Sequence, residues 1–143
     1  MPGSKRTREV LQAHIRTLMN AQVITVGPDD PILDVARQIG LHGIGAVPVV
    51  DRDECLIGIV STSDVVSLLH EGGKLDGKRA RDAMTAAPVS IDEFATAEEA
   101  IGILRNAVIR HLPVTREGRL VGLVTASDLI RHLLKQHPAP EVA

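Results

Sequence analysis

The chain repeats itself, and no other feature narrows its possible folds as much. Sliding the sequence by 65 positions lays Met19 on Met84, Ala21 on Ala86, Pro48 on Pro113 and Val49 on Val114. The offset then becomes 64, and Leu56 falls on Leu120, Gly58 on Gly122, Val60 on Val124, Ser63 on Ser127 and Asp64 on Asp128. The slip lies where the first copy has Asp51-Arg52-Asp53-Glu54 and the second has Arg116-Glu117-Gly118, a change that a hairpin loop tolerates. One copy of about fifty residues is too small to bury a sheet comfortably alone, whereas two copies facing each other across a pseudo-twofold axis share one burial problem.

The apolar periodicity repeats with the letters. Ile32, Val35, Ala36 and Ile39 stand at i, i+3, i+4 and i+7, as do Ala97, Ala100, Ile101 and Leu104, which predicts one buried helix face twice. Asp30-Pro31 predicts a cap followed by a proline in the first turn, and Thr96 with Glu99 predicts a capping box. Short β-rich runs at 23–26 and 88–91 precede these helices. Runs at 46–50 with 56–61, and at 112–115 with 120–125, follow them as hairpins. A second helix closes each copy, its apolar face predicted from Val65, Val66 and Leu69, then from Leu129, Ile130 and Leu133. Each copy is strand–helix–strand–strand–helix, an α/β (α+β) chain whose two β-α-β-β-α repeats pack sheet to sheet. The expected organisation is an N-terminal amphipathic helix over 1–18, carrying Val10, Leu11, Ile15 and Leu18; a repeat over 19–70; a linker over 71–83; a repeat over 84–136; and a frayed tail over 137–143.

Composition removes several function classes. A net charge of −2 offers no field for nucleic acid or an anionic membrane, and with one Phe (Phe94), no Trp and no Tyr, bases have no stacking platform. Any bound base must lie between aliphatic side chains. One cysteine, Cys55, allows no internal disulfide, which points to a reducing cytoplasm. No apolar run has membrane-spanning or signal-peptide length. The histidines form no metal-ligand cluster, since His132 and His137 sit five apart, a poor helical spacing, and His14, His42 and His70 are isolated. Lys74, Lys78, Arg79 and Arg81 make a small basic patch, read first as a solvated linker.

Three motifs recur together: Pro48-Val49 and Pro113-Val114; Gly58-Ile59-Val60-Ser61 and Gly122-Leu123-Val124-Thr125; and a Ser/Thr-x-x-Asp turn ending at Asp64 and at Asp128. In these the chain resembles a tandem pair from the cystathionine-beta-synthase (CBS) domain family, often called a Bateman module, over nearly its whole length. The resemblance implies an adenosine-containing ligand in clefts between the copies. It also implies that Asp64 and Asp128 hold ribose hydroxyls, with Ser61 and Thr125 assisting. Backbone at Ile24, Ile44, Val89 and Ile109 would meet the adenine edge, and Arg110 and His111 would meet phosphate. The first copy departs from that pattern with Gly45 and Ala46, so one tighter and one weaker or empty site are expected. The same turns have a plain structural reading as helix N-caps with an acid in the first turn, and the two readings are compatible.

The function expected is a non-catalytic regulatory module of the energy-sensing kind. It binds AMP, ADP or ATP, requires no cofactor, pairs as a homodimer and regulates an unnamed protein by conformational or oligomeric change. The alternative is a ligand-free structural or adaptor protein. No P-loop, metal cluster or nucleophile–base pair speaks for an enzyme.

Overall fold

The computed structural model describes residues 5–72 and 74–136, so the tail from His137 lies outside the described residues. In chain order the elements are helix α1 (Lys5–Gln12), a 3-10 turn (Ile15–Thr17), α2 (Ile32–His42), β1 (Ala46–Val50), β2 (Leu56–Ser61), α3 (Thr62–His70) and α4 (Ala80–Ala83). There follow β3 (Thr85–Ala86), β4 (Ile91–Asp92), α5 (Ala97–Ala107), β5 (His111–Arg116), β6 (Arg119–Thr125) and α6 (Ala126–Gln136). They form two compact units. A repeat-1 unit comprises Gln22–Val89 and Glu117–Leu120; a repeat-2 unit comprises the described residues of Met1–Ala21, Ser90–Arg116 and Val121–Ala143. Each unit has a three-stranded sheet, ordered β1-β2-β3 and β4-β5-β6.

The Pro-Val strand β5 lies between β4 and β6, while its twin β1 lies beside β2 at the end of its sheet. In the repeat-1 unit Val47, Pro48 and Val49 are buried, and β1 pairs antiparallel with β2, Val47 opposite Val60 and Val49 opposite Gly58. On its other side the expected strand over 23–26 shrinks to one parallel bridge: Val26 N–H donates to Pro48 O, and Val50 N–H donates to Val26 O. The next rung of a parallel ladder needs an N–H from position 48, which proline lacks, so Ile24 is left outside the sheet. Pro113 imposes the same limit in the repeat-2 unit, where the run expected over 88–91 becomes β4, with Ile91 opposite Val114 and Val89 outside.

The lead-in segments are exchanged. Met84-Thr85-Ala86 opens the second copy, yet β3 pairs with β2 of the first, Thr85 opposite Ile59. Asn20, which opens the first copy, exchanges backbone bonds of 2.9 and 3.0 Å with Leu123 of the second. The motif glycines make room for this. A Cβ on Gly58 would stand 2.9 Å from Met84 Cγ, and one on Gly122 would stand 2.8 Å from Met19 Cγ and 3.1 Å from Asn20 O. The exchange reaches back further, to Ile15 and Ala80, both fully buried in the cores of opposite units. Among the described residues of the predicted N-terminal helix, Lys5–Gln12 are α-helical, and Ile15 enters its core from the 3-10 turn. The predicted linker likewise ends in α4, whose Ala80 is core. Its basic patch is partly neutralised, because Arg79 (Nη1, 3.2 Å) and Arg81 both bind Asp29 Oδ1.

Helix ends carry one correction. Asp30 does not cap α2. Its carboxylate accepts from Gly27 N–H at 2.8 Å, Pro31 takes the cap position, and the first free helical donor, Ile32 N–H, goes to Lys78 O at 2.9 Å. Thr96 does cap α5, accepting from Glu99 N–H at 3.2 Å. Only Val65 and Leu129 of the closing helices' predicted faces are buried. Val66, Leu69, Ile130 and Leu133 turn outward, one stripe round from the inward positions.

At the C-cap of α2 stands Gly43, with φ 62°; at the matching C-cap of α5 stands Val108, with φ 53°. A β-branched residue in the left-handed region costs about 1–2 kcal/mol, and Val108, 87% exposed, buries little to offset it. Val108→Gly trades that cost for a glycine entropy cost of roughly 0.5–1 kcal/mol. The variant is expected to melt about 2–4 °C higher in a calorimetric scan. A lower melting temperature would contradict the assigned strain.

Candidate ligand-binding site

Each Ser/Thr-x-x-Asp turn lies where a strand runs directly into a helix, β2 into α3 and β6 into α6. The plain structural reading holds at both. Ser61 Oγ accepts from Asp64 N–H (3.2 Å), while Asp64 Oδ2 accepts from Ser61 N–H (2.7 Å) and from Ser61 Oγ (2.9 Å). Thr125 Oγ1 accepts from Asp128 N–H (3.1 Å), and Asp128 Oδ2 accepts from Thr125 N–H (2.8 Å). These reciprocal bonds satisfy donors that a helix start leaves open. They also fix each half-buried carboxylate rigidly at a positive dipole end.

The two turns differ at their outer oxygens. Asp64 spends Oδ2 on its own turn, whereas Asp128 uses both oxygens, Oδ2 on the turn and Oδ1 on Arg131 one helical turn along. The position matching Arg131 is Ser67. Arg131 was not among the residues singled out from sequence; the signal was a charge three residues after one motif Asp that its twin lacks.

His111 opens β5 half-buried, with Arg110 exposed just before it. Burial pushes the His111 imidazole below the ordinary histidine range, Arg110 pushes the same way, and Asp128 pulls against both. Arg110, His111 and Asp128 therefore share one electrostatic neighbourhood. In the first copy Gly45 plays a backbone role instead, its carbonyl accepting from Thr62 N–H (3.0 Å) and Thr62 Oγ1 (3.2 Å).

The depressed His111 pKa has a pH signature. The unfolded chain takes up this proton near pH 6.5 while the folded chain resists, so stability falls as pH drops below that value. His132, lowered by burial and by Lys135, acts in the same direction. Melting temperature is expected to decline from pH 7 to pH 5.5, and less steeply in His111→Gln. An NMR titration placing His111 above 6.5 would refute the sign.

Among the remaining candidates, Ile24, Ile44, Ser61, Asp64 and Val89 fall in the repeat-1 unit, and Ile109, Arg110, His111, Thr125 and Asp128 fall in the repeat-2 unit. Val89 is thus grouped with the other copy's residues. Ile44 and Ile109 are half-buried against their unit's core. Ile24 and Val89 lie just outside the ladders, where Pro48 and Pro113 cannot donate to their carbonyls. Among the described residues no three His, Cys, Asp or Glu side chains gather as a metal site, and no helix is long and apolar enough to cross a membrane.

The CBS domain family model matches residues 15–71 and 80–135, beginning in each copy at the buried lead-in residue or the one that matches it. The chain belongs to the CBS domain family. Hypoxic response protein 1 of Mycobacterium tuberculosis is 32% identical over 123 residues, spanning 82% of this chain and 83% of that protein. The crystal structure of Hypoxic Response Protein I with two coordinated zinc ions superposes with a TM-score of 0.77 at 30% identity, covering 84% of this chain and 98% of that one. The crystal structure of CBSX2 in complex with AMP superposes with a TM-score of 0.78 at 27% identity, covering 85% and 96%. These CBS-pair proteins share the two-repeat architecture, and one of them holds an adenosine ligand.

Proposed function

We propose that this chain is a non-catalytic regulatory CBS module whose repeat-2 turn binds an adenine nucleotide. The observation that carries the reading is the shared neighbourhood of Asp128, His111 and Arg110 beside the α6 start. It combines a carboxylate for ribose hydroxyls with the Arg110 guanidinium and the His111 imidazole as donors for phosphate. The AMP complex of CBSX2 supports the ligand class. Ser61 and Asp64 offer ribose the same carboxylate, but Gly45 and Ala46 offer phosphate no charge, so repeat 1 binds more weakly. Ile24, Ile44, Val89 and Ile109 supply backbone and aliphatic surface for adenine, in a chain without Trp or Tyr. AMP is the first ligand proposed, ADP and ATP the next. Arg110 and His111 suit one phosphate group well.

Signalling follows if ligand binds two arrangements of the chain, or of two chains, with different affinity. Exposed apolar side chains at matching places in both repeats, Val66 with Ile130 and Leu69 with Leu133, support a homodimer. A cytoplasmic setting is proposed from the single cysteine. The same exposed faces, with the uncharged Gly45 and Ala46, favour the second reading, an adaptor without ligand.

Isothermal titration with AMP, ADP and ATP, paired with native mass spectrometry, decides between them. Saturable binding of AMP is expected, with a rise in melting temperature, because ligand that prefers the folded state must stabilise it. No heat and no thermal shift at millimolar nucleotide would leave the adaptor reading standing.

A further inference from the structure

Arg131, like Arg110 and His111, is a polar residue of repeat 2 that has no charged counterpart in repeat 1. Asp128 binds Arg131 and acts electrostatically on His111, the residue after Arg110; in repeat 1 the residues matching Arg110, His111 and Arg131 are Gly45, Ala46 and Ser67. Arg131 is fixed by a bond from one guanidinium nitrogen, Nη2, to Asp128 Oδ1, while its side chain stays 65% exposed. A guanidinium carries five N–H donors in one plane. One edge can remain on the carboxylate while the rest face outward, an arrangement suited to a second, tetrahedral oxyanion. The carboxylate in turn holds the guanidinium in place before ligand arrives, which reduces the entropy lost on binding.

Charge points the same way. With His111 held neutral, Arg110, Arg131 and Asp128 sum to one positive charge, whereas the repeat-1 turn presents Asp64 without a cation at the matching positions. Phosphate beside Asp64 alone would meet a carboxylate; beside Asp128 it meets a carboxylate already paired.

We propose that Arg131 is a specificity-determining residue that stays on Asp128 and reads the ligand's phosphate, so that the repeat-2 site selects nucleotides over nucleosides. The assignment rests on the nucleotide-binding reading above and deepens it by naming the phosphate as the group selected and Arg131 as its selector.

The test is calorimetric titration of the full chain with AMP and with adenosine, for wild type, Arg131→Gln and Arg131→Lys. Wild type is expected to prefer AMP. Arg131→Gln should lose about tenfold or more in AMP affinity, the scale of a charge-assisted contact, while adenosine affinity moves less than about threefold. Arg131→Lys should recover part of the AMP affinity, since it restores charge without the planar fork. Circular dichroism and melting temperature should stay close to wild type, because the Arg131 side chain is exposed and Asp128 keeps its bond from Thr125 N–H. An unchanged AMP-to-adenosine ratio in Arg131→Gln, whether both affinities hold or both fall, overturns the assignment alone. Wild type that binds AMP and adenosine equally also overturns it. Wild type that binds neither removes the nucleotide reading, and the assignment with it.

Discussion

Asp128→Ala is expected to weaken AMP binding by about 10- to 100-fold, the loss of a hydrogen bond to a charged group worth about 1.5–3 kcal/mol. The same substitution should cost about 1 kcal/mol of stability, because Thr125 N–H loses its acceptor at 2.8 Å and the N-terminus of α6 loses its anion. The two effects separate in Asp128→Asn. An amide oxygen can still accept from Thr125 N–H, so most of the stability returns, but the charge that strengthens a ribose contact does not. Asp64→Ala is the internal control. It removes an equivalent cap, with Ser61 N–H at 2.7 Å, and should cost similar stability with a much smaller change in AMP affinity. Removing the Asp128 carboxylate also removes the one influence that raises the His111 pKa, so that imidazole should titrate lower still. Calorimetry, melting curves and an NMR titration check the three outcomes. Equal loss of AMP affinity in Asp64→Ala and Asp128→Ala would show that the repeats are equivalent sites, against the asymmetry argued above.

What the sequence made legible was what repeats and what alternates. The hairpins fall almost where the β-branched runs place them, and both Ser/Thr-x-x-Asp turns cap helices as their residue types dictate. Two things lay beyond it, each for a physical reason. A run such as 23–26 has strand-like residues, but its ladder depends on donors in a distant strand, and proline at 48 withholds one. Asp30 has the composition of an N-cap, yet it was outcompeted by the carbonyl of Lys78, far away in sequence. The Arg131–Asp128 pair is local, and its sequence signal is the i,i+3 spacing of opposite charges where the first copy has Ser67. The local pairings of the candidate residues, at i and i+3, were legible; partners distant in sequence, such as Lys78 O for Ile32 N–H, were not, because tertiary proximity chooses them.

The lead-in exchange gives the largest stability effect. Ile15 and Ala80 are structural twins 65 positions apart, and their backbone bonds match one for one. Ile15 N–H reaches Ala95 O at 2.8 Å as Ala80 N–H reaches Asp30 O at 2.8 Å, and Ala97 N–H reaches Ala13 O at 2.9 Å as Ile32 N–H reaches Lys78 O at 2.9 Å. Yet one twin is a large residue and the other a small one, both with no exposed surface, so each core is packed to the residue it receives. Ile15→Ala would place in the repeat-2 unit the residue the repeat-1 unit already uses at that point. The repeat-2 core of Leu104, Leu112, Val114 and Val124 cannot close on it, and the cavity should cost about 2–5 kcal/mol. For a chain of this size that lowers the melting temperature by about 5–15 °C. Ile15→Val should cost only about 0.5–1.5 kcal/mol, which separates packing from any effect on the backbone bonds that both variants keep. A shift under about 2 °C in Ile15→Ala would mean that the segment before the first repeat is an accessory to the repeat-2 core and not part of it.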